Sequence, residues 1–313
     1  MPQIIRIKKD FISILKTNEK EICGNLYNLW QIDKHKKHKM KQISILGCGW
    51  LGLPLAKALL ANGFSVKGST TSEEKLSGLA SEGIQPFLVT LDSERITGAV
   101  DDFLLGSDTL IINIPPQLRR KNPEVTAMNE KVFVAKMKAL MPHIEKSAIQ
   151  KVLFVSSTSV YGEIDGTVTE EVMPQPDTES GKQLLEVEML LQNNSNFRTT
   201  ILRFGGLIGK DRNPVKFLAG KQNLENPDAC INFIHQEDCI GIILKIITSD
   251  SWNEIYNGVS SFHPTRENYY TQKATEFGLT LPEFDHSKPS KGKLILSDKA
   301  TTVLGYSFII TDL

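Results

Sequence analysis

Ile43-Ser44-Ile45-Leu46-Gly47-Cys48-Gly49-Trp50-Leu51-Gly52 sets a short strand-like run directly before three glycines in the spacing G-x-G-x-x-G. Such a spacing alone is common. Its context is what gives it meaning: a strand before it, a helical stretch over 53–62 that stops at Gly63, and a second strand over 64–68. In a strand–turn–helix unit each glycine has a separate job. Gly47 permits the tight turn, Gly49 lets main chain approach a ligand without an intervening Cβ, and Gly52 lets helix and strand pack closely. The helix start then offers free N–H groups and partial positive charge to an anion, so the loop as a whole, with Cys48, Trp50 and Leu51 between the glycines, is a candidate cradle for the diphosphate of a dinucleotide.

Outward from the loop, short apolar runs alternate with helical stretches. Strands are expected over 86–91, 109–114 and 151–156, and helices over 73–82, stopped by Gly83, and over 124–146. Leu110-Ile111-Ile112 and Val152-Leu153-Phe154-Val155 lack polar alternation, which suits strands covered on both faces. The pattern predicts an α/β fold with a doubly wound parallel sheet, because parallel strands need crossover connections. Beyond residue 205, prolines at 214, 227, 264, 282 and 289 interrupt the pattern, with helical stretches left at 236–248 and 266–277. The expected organisation is a basic extension over 1–40, a dinucleotide-binding domain over 41–205, and a smaller C-terminal lobe over 206–313 with segments that can return to the sheet. The extension ends in Lys34-His35-Lys36-Lys37-His38-Lys39, followed by Met40, which could serve as a natural start. A solvated basic tail accounts for His35 and His38 better than metal ligation does.

Composition narrows the function. Lys+Arg and Asp+Glu both number 36 in 313 residues, so no global field attracts nucleic acid or an acidic membrane. The four cysteines, Cys23, Cys48, Cys230 and Cys239, contain no Cys-x-x-Cys pair and make no disulfide framework. No apolar run approaches the roughly 18 residues of a membrane span, and the first residues do not form a secretory signal. A cytoplasmic protein with a small-molecule substrate, no bound metal and no nucleic-acid partner is the expectation. The Walker A spacing fails for want of a lysine after Gly68, and there is no G-x-S-x-G elbow.

Two further places can carry chemistry. At the end of the second strand an NAD-specific site usually presents an acid, yet Lys67-Gly68-Ser69-Thr70-Thr71-Ser72 has none before Glu73. Nothing there repels a 2′-phosphate. Ser69, Thr70 and Ser72 could donate hydrogen bonds to it and Lys75 could supply charge, so NADP is preferred over NAD. The alternative is that these are turn hydroxyls capping the next helix. Later, Ser156-Ser157-Thr158-Ser159-Val160-Tyr161-Gly162 follows a strand, where ligands of open α/β sheets sit, and its hydroxyls could bind a substrate carbonyl or alcohol.

Read together and in order, several segments resemble the extended short-chain dehydrogenase/reductases, in particular the atypical members of this NAD(P)-dependent epimerase, dehydratase and reductase family. They are the glycine loop, Ile111-Ile112-Asn113-Ile114-Pro115-Pro116, residues 156–162, Gly181-Lys182, Leu202-Arg203-Phe204-Gly205-Gly206-Leu207-Ile208-Gly209, Asn232-Phe233-Ile234-His235-Gln236-Glu237-Asp238 and Leu304-Gly305-Tyr306. The resemblance covers 41 to about 310. It implies that Ile114 and Pro115 line the cofactor, that Ser157 orients the substrate, and that Lys182 bonds the nicotinamide ribose. It also implies a tyrosine four residues before that lysine as proton donor, where this chain has Thr178, whose hydroxyl cannot exchange protons near neutrality. Tyr161, Glu179 and His235 are the substitutes to weigh. Of these, Tyr161 is structural in the resembling family, Glu179 reads as an exposed helix-start residue, and His235 sits in a segment that links sheet and lobe. Asn129 on the helix before 146 matches an asparagine some members carry, and an exposed helical residue is the simpler account. Two functions follow: an oxidoreductase or epimerase-like enzyme acting on a small alcohol or carbonyl, with a nucleotide-sugar among the candidates, or a non-catalytic, regulatory dinucleotide-binding protein. Family analogy suggests a monomer or homodimer.

Overall fold

The computed structural model describes residues 41–116, 131–310 and 312. Expectations about the basic extension, Cys23, Met40 and Asn129 fall outside them. Lys41–Leu313 forms one compact unit.

The core element is an eight-stranded sheet. Its strands are β1 (Gln42–Leu46), β2 (Ser65–Thr70), β3 (Gln85–Leu91), β4 (Ile96–Gly98), β5 (Thr109–Ile112), β6 (Lys151–Ser157), β8 (Arg198–Phe204) and β11 (Ile255–Gly258), in the spatial order β11-β8-β6-β5-β1-β2-β3-β4. All neighbours are parallel except β3 and β4. From β1 the order runs one way through β2 and β3, and from β5 the other way through β6 and β8. The switch point, where ligands of such sheets bind, therefore lies beyond the carboxyl ends of β1 and β5.

Both faces of the sheet are buried, as the unbroken apolar strands predicted. Leu110, Ile112, Val152 and Phe154 enter one core with Phe103, Phe133 and Val187. Ile111 and Leu153, one residue out of step, enter the other with Leu55, Leu59 and Ile242. The first layer is built on α3 (Val100–Leu104), α4 (Val132–Lys146) and α5 (Glu179–Gln192), the second on α1 (Gly52–Ala61) and α6 (Gln236–Thr248). Both glycine stops form as expected. Gly63 (φ 81°) lets its N–H reach the Leu60 carbonyl and that of Phe64 reach Leu59, closing α1. Gly83 (φ 79°) and Ile84 do the same for α2 (Leu76–Ser81).

Several element boundaries differ from expectation; the second strand, for one, runs to Thr70 rather than 68. The helix expected over 73–82 is a 3-10 turn, Glu73–Lys75, followed by α2. The α4 helix begins at Val132; residues 124–130 of its expected range are not described. Strand β5 ends at Ile112 rather than 114; the Asn113 N–H still bonds Leu46 and its side chain turns to the glycine loop. Beyond residue 205 the chain both returns to the sheet, through β11, and makes a smaller structure with its own core of Ile208, Val215, Ile231, Tyr269, Tyr270 and Ala274. Here lie β9 (Gly206–Ile208) paired with β10 (Phe233–His235), and α7 (Arg266–Glu276). Strand β12 (Lys293–Ile295) pairs with β7 (Gly166–Val168), and α8 (Asp298–Thr302) follows.

Candidate functional site

The glycine loop bridges β1 and α1 at the switch point, and each glycine is used differently. A Cβ on Gly47 (φ 103°) would lie 2.6 Å from the Asn113 carbonyl oxygen and 2.8 Å from Ile114 Cγ2. A Cβ on Gly52 would run into the Gly47 carbonyl oxygen. At Gly49 a Cβ would meet no protein atom within 4 Å. Gly47 and Gly52 are thus glycines for the protein's own packing, and Gly49 borders open space. The start of α1 brings no anion of its own: its N-cap residue Leu51 makes no side-chain cap bond, and its first turn holds no acid. Leu51 is buried in the core. So is the Cys48 side chain, whose thiol burial pushes up to about 12, so that only its main chain can serve a ligand.

Three neighbours hold the loop in shape. Asn113 Nδ2 donates to the Gly47 carbonyl at 3.0 Å, and the Asn113 N–H donates to Leu46 at 2.9 Å. The Gly47 N–H donates to Ser69 Oγ at 3.0 Å, and the Cys48 N–H to the Ser69 carbonyl at 2.8 Å. From 186 residues away, Gln236 Nε2 donates to the Trp50 carbonyl at 2.7 Å. Neither Asn113 nor Gln236 stood out in the sequence as part of the loop. Asn113 had one legible signal, an amide at the end of an apolar strand; Gln236 had none.

At the end of β2, Ser69 is 2% exposed and its hydroxyl supports the loop. Thr70 Oγ1 accepts from the Ser72 N–H at 3.1 Å. Ser72 stands at the N-cap position of the 3-10 turn without capping it, so the capping alternative does not describe its hydroxyl. Lys75 is exposed. Lys67, earlier in β2, turns away: its buried ammonium donates to the Asp102 and Leu105 carbonyls at the end of α3. Ile114 is half-buried against Gly47, and Pro115 is exposed beside it.

The second group forms at the carboxyl end of β6, on the same end of the sheet as the glycine loop. Ser157 is half-buried and its Oγ accepts from the Ser159 N–H at 3.2 Å, opening the 3-10 turn Thr158–Tyr161. This turn packs on the start of α5, where a Cβ on Gly181 would lie 2.7 Å from the Ser159 carbonyl. Thr178 is the N-cap of α5: its Oγ1 accepts from the Gly181 N–H at 3.1 Å. Glu179, exposed, accepts from Gln183 Nε2. Lys182, one turn into α5, is exposed and ion-pairs with no described residue. His235 is likewise a cap, accepting from the Glu237 N–H at the start of α6.

Tyr161 is fully buried. Its hydroxyl donates to Asn257 Oδ1 at 2.8 Å and accepts from Arg203 Nη1 at 3.0 Å, and burial pushes its pKa above the ordinary phenol value. Arg203 in turn makes a fork with Glu188, at 2.6 Å for Nη2, and Glu188 also accepts from the hydroxyl of Ser156. This buried network stands directly behind Ser157. Sequence reasoning missed it, because Arg and Glu ordinarily read as surface residues.

No set of three or more His, Cys, Asp or Glu among the described residues could hold a metal, and none of the described helices is long and apolar enough to cross a membrane.

Comparison with known proteins places this geometry. Residues 47–239 match the family model described as NAD(P)H-binding. The chain is 35% identical over 275 residues to Protein YeeZ of Escherichia coli K12, covering 87% of this chain and 97% of that protein. It is 22% identical over 284 residues to the chloroplastic epimerase family protein SDR39U1 homolog of Arabidopsis thaliana, over 86% and 80% of the two chains. In fold it resembles the UDP-glucuronic acid 4-epimerase of Bacillus cereus solved in complex with NAD, with a TM-score of 0.70 at 19% identity over 85% of this chain and 91% of that one. On the family model, which matches well over half of it, the chain belongs to the NAD(P)H-binding family, and its doubly wound sheet has the fold of the epimerases.

Proposed function

We propose that this protein is a nicotinamide-dependent oxidoreductase of the epimerase and reductase type, acting on a small alcohol or carbonyl compound in the cytoplasm. The observation that carries the reading is Gly49: bare main chain faces open space at the uncapped start of α1, over the switch point, as the diphosphate of a dinucleotide requires. Gly47 to Gly52 would hold the diphosphate, Ile114 and Pro115 would border it, and Lys182 would bond the nicotinamide ribose. When bound, the cofactor supplies hydride transfer at the nicotinamide C4. Ser157, with its hydroxyl proton still free to donate, would orient a substrate oxygen. A nucleotide-sugar is the substrate class we favour, since the Bacillus cereus epimerase and MoeE5, of similar fold, were solved with UDP-glucuronic acid and NAD.

NADP is the preferred form. Ser69 is engaged with the loop, which leaves Thr70, Ser72 and exposed Lys75 to meet a 2′-phosphate, with no carboxylate in the β2 end to repel it. NADPH is therefore expected to bind more tightly than NADH in a fluorescence titration, by roughly tenfold if one charge-assisted contact is gained. Tighter binding of NADH would reverse this preference.

A second reading has its own observation. Thr178 caps α5 and the Tyr161 hydroxyl is buried between Asn257 and Arg203, so neither of these positions offers a phenol ready to donate a proton. A non-catalytic, nucleotide-sensing protein would look the same. Ser157→Ala separates the two. An enzyme should lose turnover at least about a hundredfold while keeping NADPH affinity; a sensor shows no NADPH consumption to lose with any nucleotide-sugar. Appearance of turnover only in Thr178→Tyr would mark a degenerate enzyme.

A further inference from the structure

The glycine loop is braced from one side by a segment far away in sequence, and that brace brings a cation. The chain makes a tight turn after β9: the Gly209 N–H donates to the Arg212 carbonyl at 3.1 Å and the Arg212 N–H returns to Gly209 at 2.9 Å. Gly209 presses on the Trp50 indole, where a Cβ would stand 2.9 Å from Cζ2. The turn thereby carries the Arg212 guanidinium over the same ring, 5.3 Å from its centroid. Gln236 fixes Trp50 through its carbonyl from the neighbouring start of α6.

Arg212 is exposed, and it forms no ion pair or side-chain hydrogen bond with any described residue. An arginine held by an aromatic face keeps its fork of N–H donors unspent, and that fork matches phosphate oxygens two at a time. The loop itself, from Gly47 to Gly52, contains no charge, and Lys67 is committed to α3. A formal positive charge is therefore delivered to Trp50, the residue immediately after the one glycine of the motif that faces open space.

We propose that Arg212 is a diphosphate-recognising residue of the dinucleotide site, supplied by the segment after β9 and positioned by stacking on Trp50. The proposal rests on the reading that the dinucleotide lies on the glycine loop. It adds a consequence: cofactor binding draws the loop and the smaller C-terminal structure together through one side chain.

The test is a titration of the full chain with NADPH, NADH and ADP-ribose, using Arg212→Ala, Arg212→Lys and Gly49→Val, with thermal melts to verify folding. Arg212→Ala is expected to weaken all three ligands about tenfold at low salt, with the gap to wild type closing at high salt, where an exposed charge is screened. Arg212→Lys should recover part of the loss, since it restores the charge but not the paired donors or the stacking. Affinities of Arg212→Ala within twofold of wild type would overturn the proposal. So would a loss confined to NADPH, which would assign the charge to the 2′-phosphate, or a loss that Lys does not repair and salt does not alter, which would reduce Arg212 to packing. Gly49→Val separates the failures. If it loses binding while Arg212→Ala does not, only the arginine's role falls; if it binds like wild type, the dinucleotide is not on the loop and both fall.

Discussion

A valine at position 49 is expected to leave the protein folded and nearly abolish dinucleotide binding. The Gly49 Cβ position is clear of protein atoms and its φ lies outside the left-handed region, so a side chain there strains nothing in the empty protein. What it occupies is the approach of a diphosphate to main-chain N–H groups. Losing those contacts should weaken NADPH at least about a hundredfold, or roughly 2.7 kcal/mol, with Tm within a few degrees of wild type. Gly52→Ala makes the opposite demand. Its methyl would press on the Gly47 carbonyl oxygen and lie 3.0 Å from Asn113 Nδ2, both on the inner side of the turn. Relieving that needs backbone movement, which costs about 1–3 kcal/mol, so this variant should lose stability as well as binding. Calorimetric titration beside a thermal melt reads both. Equal effects of the two variants on Tm would mean that the loop's glycines are all structural, and the ligand cradle would lose its support.

Glu188→Ala should give the largest loss of stability. Glu188 and Arg203 are 1% and 3% exposed, and Arg203 points all its contacts at Glu188 and Tyr161. Removing the carboxylate leaves a guanidinium buried without its counter-charge, at a cost of about 3–5 kcal/mol, or a fall in Tm on the order of 10 °C for a chain of this size. The damage should reach the site, because Ser156 also bonds Glu188 and its neighbour Ser157 opens the turn that packs on α5. Glu188→Gln keeps one oxygen to accept from Ser156 and Arg203 Nε, though its NH2 then faces Arg203 Nη2, and should lose less than the alanine variant. The two substitutions melting alike, within about 2 °C of wild type, would show that the buried pair contributes little.

Much of this was legible in the chain itself. The glycine spacing after an apolar strand, the Gly63 and Gly83 helix stops, and two-sided burial of β5 and β6 all depend on residues close together in sequence. Strand β5 was read two residues too long; the Asn113 main chain still bonds Leu46, while its side chain reaches a carbonyl 66 positions earlier, a contact no local pattern announces. Thr178 stands where the resemblance implies a proton-donating tyrosine, and its employment as a cap emerges only from the position of the Gly181 N–H.

The sequence by itself determined the alternation of strands and helices, the turn that a ligand's phosphates could approach, and the lack of an acid after β2. Those are matters of backbone freedom and local burial period, settled among near neighbours. Tertiary structure alone decided that Ser69 serves the loop, that Gln236 and Arg212 converge on Trp50, and that Arg203 and Glu188 lie buried as a pair. Such contacts join residues from 15 to 186 positions apart. They exist only once the order of the strands has set which chain ends meet, and no local pattern in the sequence encodes that order.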